Sequence, residues 1–450
     1  MEIIIHSISP LLPSTFEDEM RRISKLAVVI GGVLLCLSCK KDKDGTPPKV
    51  DIISPSAGST FAVPDTVHVR VQVSDDRVIE SLTVELLNPA GSVVASGGSR
   101  SLDATSGTYD FTLILTDERL PSGDHTIVAR ARDGFNDARD FVEVNVLEAP
   151  LRLRALFLAP AFSEESTIIT RIDSTGAAAP FVTVADFNGI AVDGNSQHLF
   201  VAGSRYAPLQ AIPAANSANT WQVNAPGNDQ PEQFTALTVD PTDERVYCAT
   251  RDGFIRGWTG DGFQRFTAEC LPDHRCEAIV VMENEVATWQ RAIVGGASRV
   301  VTYTPAGTLY EQLPVEHERI ALFHRTGTSL VHFANAGGEG LIEDLNISAG
   351  GAPDIRTFPG EAIRAVVRLN PNQFIVALDN RLVRFDRPLQ TVTPLSSGIS
   401  ADALAYEAAT GSLYIASGTG LITMDPNTGT IVANTSVGFT IGHILPLLNR

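Results

Sequence analysis

Basic residues are scarce in this chain. Lysine and arginine together number 34, against 52 aspartate and glutamate residues, and the formal net charge is −18 over 450 residues. Nucleic acids and anionic lipid surfaces attract basic proteins and repel strongly acidic ones. The composition therefore predicts that the folded chain has no nucleic acid partner and does not bind an anionic membrane surface.

Motifs that mark common enzyme classes are absent as well. The sequence has no glycine-rich phosphate-binding loop, no Gly-x-Ser-x-Gly turn and no His-Glu-x-x-His pair. Its histidines do not recur at one position of the repeats described below. We therefore assign no catalytic residue and no cofactor from the sequence.

Long apolar runs are missing too. The apolar stretch 26–37 is too short to cross a hydrocarbon layer of about 30 Å, which takes roughly 20 residues. It follows a basic segment (21–25) and ends before Ser38, an order typical of a secretory signal. We expect residues 1–38 to be an upstream extension plus a signal peptide whose true start is Met20. An uncleaved membrane anchor is the alternative.

A cysteine follows the small residue at the end of this stretch. Ser38-Cys39 resembles the cleavage site of a bacterial lipoprotein signal, although Cys36 stands where leucine is commonest in that motif. The resemblance implies that Cys39 is diacylated and that residues 39–48 form a lipidated tether. The charged residues after Cys39 resemble those of lipoproteins of the Bacteroidetes group. This implies an outer membrane lipoprotein, periplasmic or exposed at the cell surface, with the membrane as a partner through the lipid.

Cysteine is also rare, with five residues in the chain. Cys248 lies in an apolar strand, and we expect a buried free thiol there. Cys270 and Cys276 flank a turn-rich segment, and in an oxidising envelope we expect them to form a local disulfide. A zinc site would need more ligands than His274 adds to this pair, so we predict no metal site at these cysteines.

What the sequence does contain is a repeat. Seven segments share about three apolar residues, then alanine or glycine, then usually a small or turn-forming residue, at intervals of roughly 40 to 45 residues. The segments are 156–160, 199–203, 246–250, 292–296, 331–335, 374–378 and 413–417. A strand-forming repeat of this length is typical of a β-propeller with one four-stranded blade per repeat. We expect residues 151–450 to form an all-β propeller, with seven blades favoured.

The last strand of the chain is predicted to close the ring. An apolar strand precedes every segment except the first, while the strand 441–447 has no successor. Pairing this C-terminal strand with the first segment would cover an open edge. The segments 421–429 and 234–241 resemble blades of the broad WD-type and YVTN-type propeller superfamily, without the Gly-His or Trp-Asp dipeptides of the WD type. The resemblance implies the fold and little about activity.

A second domain precedes the propeller. Residues 49–150 alternate apolar and polar residues over about seven short stretches with turn signals between them, which predicts an Ig-like β-sandwich. The segments 53–61 and 131–137 resemble the first strand and a late turn of bacterial Ig-like modules, which implies a spacer. Four aspartates either bind calcium or cap turns: Asp75, Asp76, Asp133 and Asp137.

Two sets of polar residues are candidates for a functional site of the propeller. The first set follows the second strand of several blades: Arg205, Tyr206, Arg251, Asp252, Arg299, Asp379 and Arg381. Arginine suits bidentate recognition of carboxylates and hydrogen bonding to sugars; alternatively, these residues pair between neighbouring blades and hold the ring. The second set precedes inner strands, at one mouth of the central channel: Glu232, Glu277, Glu318, Glu361 and Asp402.

Two functional classes follow from these candidates. The first is a monomeric, lipid-anchored binding or scaffold protein of the cell envelope whose propeller face binds a glycan, peptide or protein. The second is a hydrolase or lyase with a carboxylate-lined site at the channel mouth. The lack of a clustered catalytic constellation favours the binding protein.

Overall fold

The computed structural model describes residues 45–226, 232–240 and 245–450. The predicted extension, the signal peptide, Cys36, Cys39 and the start of the tether lie outside the described residues. The part that is described is built of strands, turns and loops. None of its segments is a helix long and apolar enough to cross a membrane. The chain divides into two compact units between Glu148 and Ala149.

In the first unit, residues 45–148 form a connected sheet of six strands in the order β1-β3-β5-β6-β2, with β4 paired to β3. These strands are β1 (Lys49–Ser54), β2 (Thr60–Ala62), β3 (Asp65–Leu87), β4 (Val93–Leu115), β5 (Gly123–Arg132) and β6 (Asp137–Leu147). β1 pairs with the first half of β3 and β5 with its second half. The long strand β3 of the hairpin β3–β4 therefore joins β1 to β5 in the sheet.

The buried side of β3 changes between its two halves. In the first half the buried residues are Val67, Val69, Val71 and Val73; in the second they are Leu82, Val84 and Leu86. Side chains alternate between the faces of a strand, so this change from odd to even positions needs a shift of register. The pairing with β4 is irregular between Ser74 and Ser81 and supplies that shift. The stretches 67–73 and 82–86, two of the alternating segments of this region, are thus two parts of one strand.

The described residues of the second unit form seven four-stranded antiparallel sheets. We number the sheets by their place in the chain. Sheet 1 is β34-β7-β8-β9, sheet 2 is β10 to β13, sheet 3 is β14 to β17 and sheet 4 is β18 to β21. Sheet 5 is β22 to β25, sheet 6 is β26 to β29 and sheet 7 is β30 to β33. The strands are β7 (Leu153–Ala159), β8 (Thr167–Asp173), β9 (Ala178–Val184), β10 (Gly189–Asp193), β11 (His198–Ala202), β12 (Leu209–Pro213), β13 (Trp221–Val223), β14 (Phe234–Asp240), β15 (Arg245–Thr250), β16 (Phe254–Thr259), β17 (Gln264–Glu269), β18 (His274–Val281), β19 (Val286–Ala292), β20 (Ser298–Tyr303), β21 (Leu309–Val315), β22 (Glu318–Thr326), β23 (Ser329–Ala336), β24 (Glu339–Asn346), β25 (Asp354–Phe358), β26 (Ala365–Asn370), β27 (Gln373–Ala377), β28 (Arg381–Asp386), β29 (Thr391–Ser397), β30 (Ala403–Glu407), β31 (Ser412–Ser417), β32 (Gly420–Met424), β33 (Ile431–Ser436) and β34 (His443–Leu448).

The first strands of the seven sheets contact one another in sequence. β10 contacts β14, β14 contacts β18, and the series continues through β22, β26 and β30 to β34, which contacts β10. β34 pairs antiparallel with β7, from His443 opposite Ala159 to Leu448 opposite Leu153. Four-stranded sheets in this order are the topology of a β-propeller.

Alanine lies opposite alanine where the first two strands of several sheets pair. The pairs are Ala236–Ala249, Ala365–Ala377 and Ala403–Ala416. Sheet 4 departs from this pattern, because the partner of Ala278 is Trp289. The segment 292–296, predicted as a second strand, instead forms the turn after β19. Gly295 and Gly296 have the positive φ of a tight turn there, and Val294 is 85% exposed.

Glycine permits close packing between neighbouring sheets at the turn between the third and fourth strands. Gly307 of sheet 4 has φ of +83°, and a β-carbon there would overlap the carbonyl of Thr267 in sheet 3. Gly429 of sheet 7 approaches the carbonyl of Leu395 in sheet 6 in the same way. These Ala-Gly and Thr-Gly turns are therefore contacts between sheets as well as hairpin turns.

Candidate functional site

The turns after the second strands and the loops that join consecutive sheets lie at the same end of the second unit. Antiparallel order requires this, because the second strand ends where the first one begins. Gln233, in the loop between sheets 2 and 3, donates its backbone N–H to the carbonyl of Ser204 at 2.7 Å and accepts that of Arg251 at 2.9 Å. We call this end the turn face.

Arg205 on the turn face is held by a neighbouring sheet. Its guanidinium lies 2.8 Å from the Glu164 carboxylate of sheet 1 and covers the ring of Tyr206 at 5.9 Å. The backbone of this turn is fixed by the buried carboxylate of Asp186, which accepts hydrogen bonds from the N–H groups of residues 204–207. The bond from the Tyr206 N–H is 2.8 Å long. Arg205 thus links sheets 1 and 2, as the ring-holding alternative describes.

Asp252 is engaged within its own sheet. Its carboxylate accepts a hydrogen bond from the Thr250 hydroxyl and lies 3.3 Å from the guanidinium of Arg256. The backbone N–H of Arg251 bonds to Gln233, as above. This turn is therefore held by hydrogen bonds on both sides.

Arg381 makes a bidentate ion pair across a sheet boundary. Its Nε and Nη2 donate to the two carboxylate oxygens of Glu361 at 2.9 and 2.5 Å. This hydrogen bonding lowers the pKa of Glu361 below its usual range. Asp379 accepts the N–H of Ala362 at 3.0 Å and Nε of Arg364 at 2.7 Å, which lowers its pKa too. Both contacts tie sheet 6 to the loop that leads from sheet 5.

Arg299 differs from these arginines. Its Nη1 donates to the side-chain amide of Gln312 at 3.3 Å, and in the described part of the chain it forms no ion pair with a carboxylate. Arg299 lies beside a cavity of about 490 Å³ on the turn face of sheet 4. The cavity is lined by Arg291, Gly296, Ala297, Ser298, Arg299, Pro314, Val315, Glu316, His317 and Glu318. Arg299 is therefore the arginine of the predicted set that is best placed to bind a ligand.

The carboxylates predicted at the channel mouth are largely engaged by arginine. The ion pairs are Glu232–Arg275, Glu277–Arg275, Glu277–Arg291, Glu318–Arg291 and Glu361–Arg381. Asp402 accepts the backbone N–H of Gly418 at 2.9 Å. These contacts fix the loops between sheets.

A second cavity, of about 440 Å³, is lined by first strands of sheets 3 to 6, among them residues 238–240, 279–283 and 322–324. Arg368 also lines it and donates from Nη1 to the carbonyl of His324 at 2.9 Å. Burial lowers the pKa of Arg368. Arg368 is not among the site residues predicted from the sequence.

A buried cluster of polar groups lies between sheets 4 and 5. The Glu343 carboxylate accepts from Nδ1 of His332 at 2.7 Å and from Nδ1 of His317 at 3.0 Å. His332 is fully buried, Glu343 is 3% exposed, and the His332 ring lies 4.8 Å from that of Trp289. A carboxylate oxygen of Asp354 completes a set of donor atoms with His317 and Glu343 that could hold a metal ion.

The cluster keeps a buried negative charge beside a neutral ring. Burial opposes ionisation of Glu343, but its hydrogen bonds from His332 and His317 outweigh burial and lower its pKa. Burial also lowers the pKa of His332, against the opposing effect of Glu343. His332 is therefore neutral near pH 7, with its Nδ1–H donated to the carboxylate.

The cluster could not be predicted from the sequence because its members come from separate strands and a loop. Cross-strand register joins them: His332 is opposite Glu343, and Glu343 is opposite Asp354. A signal was present, since Glu343 interrupts an apolar strand and His332 another. Charged residues in such positions conflict with the local pattern and often mark functional sites.

The three cysteines of the described residues are thiols in this structure. Cys276 Sγ lies 3.2 Å from the carbonyl of Ala278, to which it donates. Burial raises the pKa of Cys270 to about 12 and the pKa values of Cys276 and Cys248 well above their usual range. Cys270 and Cys276 are thus not bridged in this structure, and a disulfide between them under oxidising conditions stays a prediction.

Two of the four aspartates considered as calcium ligands have other partners in the structure. The Asp133 carboxylate accepts the N–H groups of Phe135 and Asn136 at 2.7 and 2.6 Å and so caps a turn. Asp137 forms ion pairs with arginines at 2.8 and 3.6 Å. Burial and the nearby charge of Asp133 raise the pKa of Asp75. Calcium binding by Asp75, Asp76, Asp133 and Asp137 stays an untested expectation.

One family model matches the first unit. Residues 48–129 match the bacterial Ig domain, which agrees with the Ig-like resemblance of that region. No curated protein sequence matches the chain.

Several solved structures are similar to the chain at low identity. A quinonprotein alcohol dehydrogenase-like protein from Bacteroides thetaiotaomicron is 10% identical, with a TM-score of 0.44 over 90% of this chain and 100% of that one. BamB from Moraxella catarrhalis is 14% identical, with a TM-score of 0.39 over 55% and 75%. The computationally designed protein Ika8 is 15% identical, with a TM-score of 0.45 over 63% and 89%. The function of this chain therefore has to be argued from its own residues.

Proposed function

We propose that this chain is a binding protein of the bacterial cell envelope. Cys39 carries the lipid anchor of a monomer at the outer membrane, and the Ig-like unit is a spacer. The seven sheets are the blades of a closed propeller, and its turn face binds a carboxylate-bearing glycan, peptide or protein. The observation that carries the proposal is the cavity beside Arg299.

The arginines of the turn face support this choice of site. Arg205 and Arg381 already bind Glu164 and Glu361, so a ligand would have to displace a charged partner. Arg299 bonds instead to the neutral amide of Gln312. A ligand carboxylate would replace that contact with charge-assisted hydrogen bonds, which are roughly twice as strong. The cavity volume falls within the range of small-molecule sites, enough for a terminal sugar or peptide end.

Exposed apolar side chains near the cavity favour a ligand that extends beyond it. Ile293 and Val294 are 66% and 85% exposed, and their turn leads into the cavity wall. Tyr206 is 66% exposed on the same face. Aromatic and aliphatic side chains of this kind supply the contact area of protein and glycan interfaces. A macromolecular ligand fits this arrangement better than a small anion.

Ligand arrays test the proposal. The wild type, Arg299→Ala and Arg299→Lys would be probed against acidic and neutral glycans and against peptides. We expect binding of acidic ligands, at least 10-fold weaker for both variants, because lysine lacks the planar fork of arginine. Arg381→Ala is the matched control and should keep the affinity. A ligand whose affinity ignores both Arg299 variants would rule out this cavity.

The alternative, a hydrolase or lyase at the channel mouth, receives less support. Glu277 and Glu361 are held by Arg291 and Arg381, so their carboxylates already serve loop contacts. Turnover of an array ligand by the wild type would reverse this preference.

The lipid anchor has a test of its own. Metabolic labelling with a fatty acid should mark the wild type, and Cys39→Ala should lose the label, since no other residue offers a lipoprotein cleavage site. Cys36→Ala is the control that should keep it. Full labelling of Cys39→Ala would contradict the anchor.

A further inference from the structure

We propose that His317, Glu343 and Asp354 bind one divalent transition-metal ion, with the donor preference of Zn²⁺, between sheets 4 and 5. This site goes beyond the proposed ligand-binding role, and neither the repeat pattern nor the family match points to it. His317 also lines the cavity beside Arg299, so the ion would sit at the wall of that cavity.

The spacing of the donor atoms fits one ion. All three donor atoms lie within 4.8 Å of one another, and Nδ1 of His317 is 3.0 Å from Oε1 of Glu343. Two ligands that are each ~2.1 Å from an ion lie ~3.0 Å apart at a right angle and ~3.4 Å apart at the tetrahedral angle. The ion would therefore take the place of the proton that His317 shares with Glu343. The exposed Asp354 side chain offers the third donor atom, a carboxylate oxygen.

The charges also favour a cation. Glu343 and Asp354 lie opposite each other on β24 and β25. In the described residues neither carboxylate has an ion pair with lysine or arginine; the only ion pairs of Glu343 are to His317 and His332. Two close carboxylates repel each other, most strongly where one is buried. A bound cation would offset that repulsion.

His332 supplies an outer hydrogen bond that orients one of the proposed metal ligands. Oε2 of Glu343 accepts from Nδ1 of His332 at 2.7 Å, while the His332 ring is fully buried against Trp289. Metal-binding carboxylates are usually oriented by such outer hydrogen bonds. Nε2 of His332 has no hydrogen-bond partner among the described residues, which is unfavourable in a buried site. Orientation of a metal ligand would account for keeping a histidine there.

The donor set selects the class of metal. One imidazole nitrogen with two carboxylate oxygens suits Zn²⁺, Mn²⁺ or Fe²⁺. Ca²⁺ and Mg²⁺ prefer all-oxygen sites with more ligands. Zn²⁺ is therefore the probe and Ca²⁺ the comparison.

Calorimetric titration of the full chain, stripped of metal with a chelator, tests the site. We expect saturable binding of one Zn²⁺ per chain, a rise in melting temperature with Zn²⁺, and no such effect of Ca²⁺. His317→Ala and Asp354→Asn should each weaken Zn²⁺ binding by at least 10-fold. Both positions are partly or fully exposed, so the variants should fold, as their melting temperature without metal will check.

His324→Ala is the matched control, because its ring bonds to the Gly327 carbonyl away from the cluster. It should bind Zn²⁺ like the wild type. Absence of saturable Zn²⁺ binding, or equal weakening by His324→Ala and His317→Ala, would overturn the proposal. Because Zn²⁺ alone is the probe, this result is independent of whether Arg299 binds a carboxylate ligand.

Discussion

Asn449 and Arg152 bind each other through reciprocal hydrogen bonds near the two ends of the second unit. The Asn449 side-chain oxygen accepts the backbone N–H of Arg152 at 2.9 Å, and the Asn449 N–H donates to the Arg152 carbonyl at 3.1 Å. Asn449 is 2% exposed. The contact continues the pairing of β34 with β7 to the last residues of the chain.

Asn449→Ala should therefore destabilise the second unit. The substitution removes the side-chain acceptor of the Arg152 N–H, and the loss of this partly buried hydrogen bond should cost about 0.5–1.5 kcal/mol. Deletion of residues 441–450 should cost far more, since it removes β34 and exposes the edge of β7. Thermal unfolding measures both, and deletion of Arg450 alone is the control. An unchanged melting temperature after removal of β34 would contradict its role in the sheet.

Arg381→Ala and Arg299→Ala should separate stability from binding. Loss of the bidentate contact with Glu361 should lower the free energy of unfolding by about 1 kcal/mol, or ~2 °C in melting temperature. The difference should shrink at high salt, because the pair is partly exposed. Arg299→Ala removes no ion pair and should leave the melting temperature unchanged. Equal melting temperatures of Arg381→Ala and wild type at low salt would contradict the ring-holding role.

Alkylation should distinguish the three thiols of the propeller. Burial raises the pKa of Cys270 to about 12, so the native reduced protein should react slowly near pH 8. In protein taken from an oxidising compartment and unfolded without reductant, Cys248 alone should be modified, because Cys270 should be linked to Cys276 there. Mass spectrometry identifies the linked peptides. Modification of all three cysteines in protein from an oxidising compartment would refute the disulfide.

Acidification should weaken the pairing of β34 through His443. Its ring packs edge-on against Phe187 at 5.6 Å, and burial lowers its pKa against the effect of the Ala161 carbonyl. The unfolded chain then binds the proton first, so stability is full above about pH 6.5 and falls as the pH drops below it. His443→Phe keeps the ring contact and removes the titration. Its melting temperature should fall less than that of the wild type between about pH 7.5 and about pH 5.5; an equal fall would exclude His443.

Gly307→Ala should be more damaging than Gly295→Ala. Both glycines have similar positive φ, +83° and +84°, so both variants carry the same backbone strain. A β-carbon at Gly307 also overlaps the Thr267 carbonyl, whereas one at Gly295 meets nothing within 4 Å. The extra loss at Gly307 should be about 1–3 kcal/mol by chemical denaturation. Equal losses would show that the turn does not pack closely against sheet 3.

The sequence by itself determined the all-β class, the bacterial Ig match and most of the repeat, because apolar strands followed by small residues recur along the chain. The pattern failed at sheet 4, because the second strand there contains Trp289 and polar neighbours. The apolar residues Ile293 and Val294 match the repeat pattern but lie in the exposed turn that follows. In the first unit, residues 74–77 have the composition of a turn but lie within β3. Local composition cannot tell a bulge from a turn, since pairing with β4 decides the outcome.

Only the tertiary structure decided which polar residues already form ion pairs or hydrogen bonds with other residues of the protein. The recurrence of arginine was visible along the chain, but the pairing of Arg205 and Arg381 with carboxylates depends on loops outside their own sheets. The contact of Arg299 with the Gln312 amide depends on the pairing of β20 with β21. The cluster around Glu343 arises from register between strands and the packing of sheet 4 on sheet 5. Such contacts join residues far apart in sequence, so no local pattern encodes them.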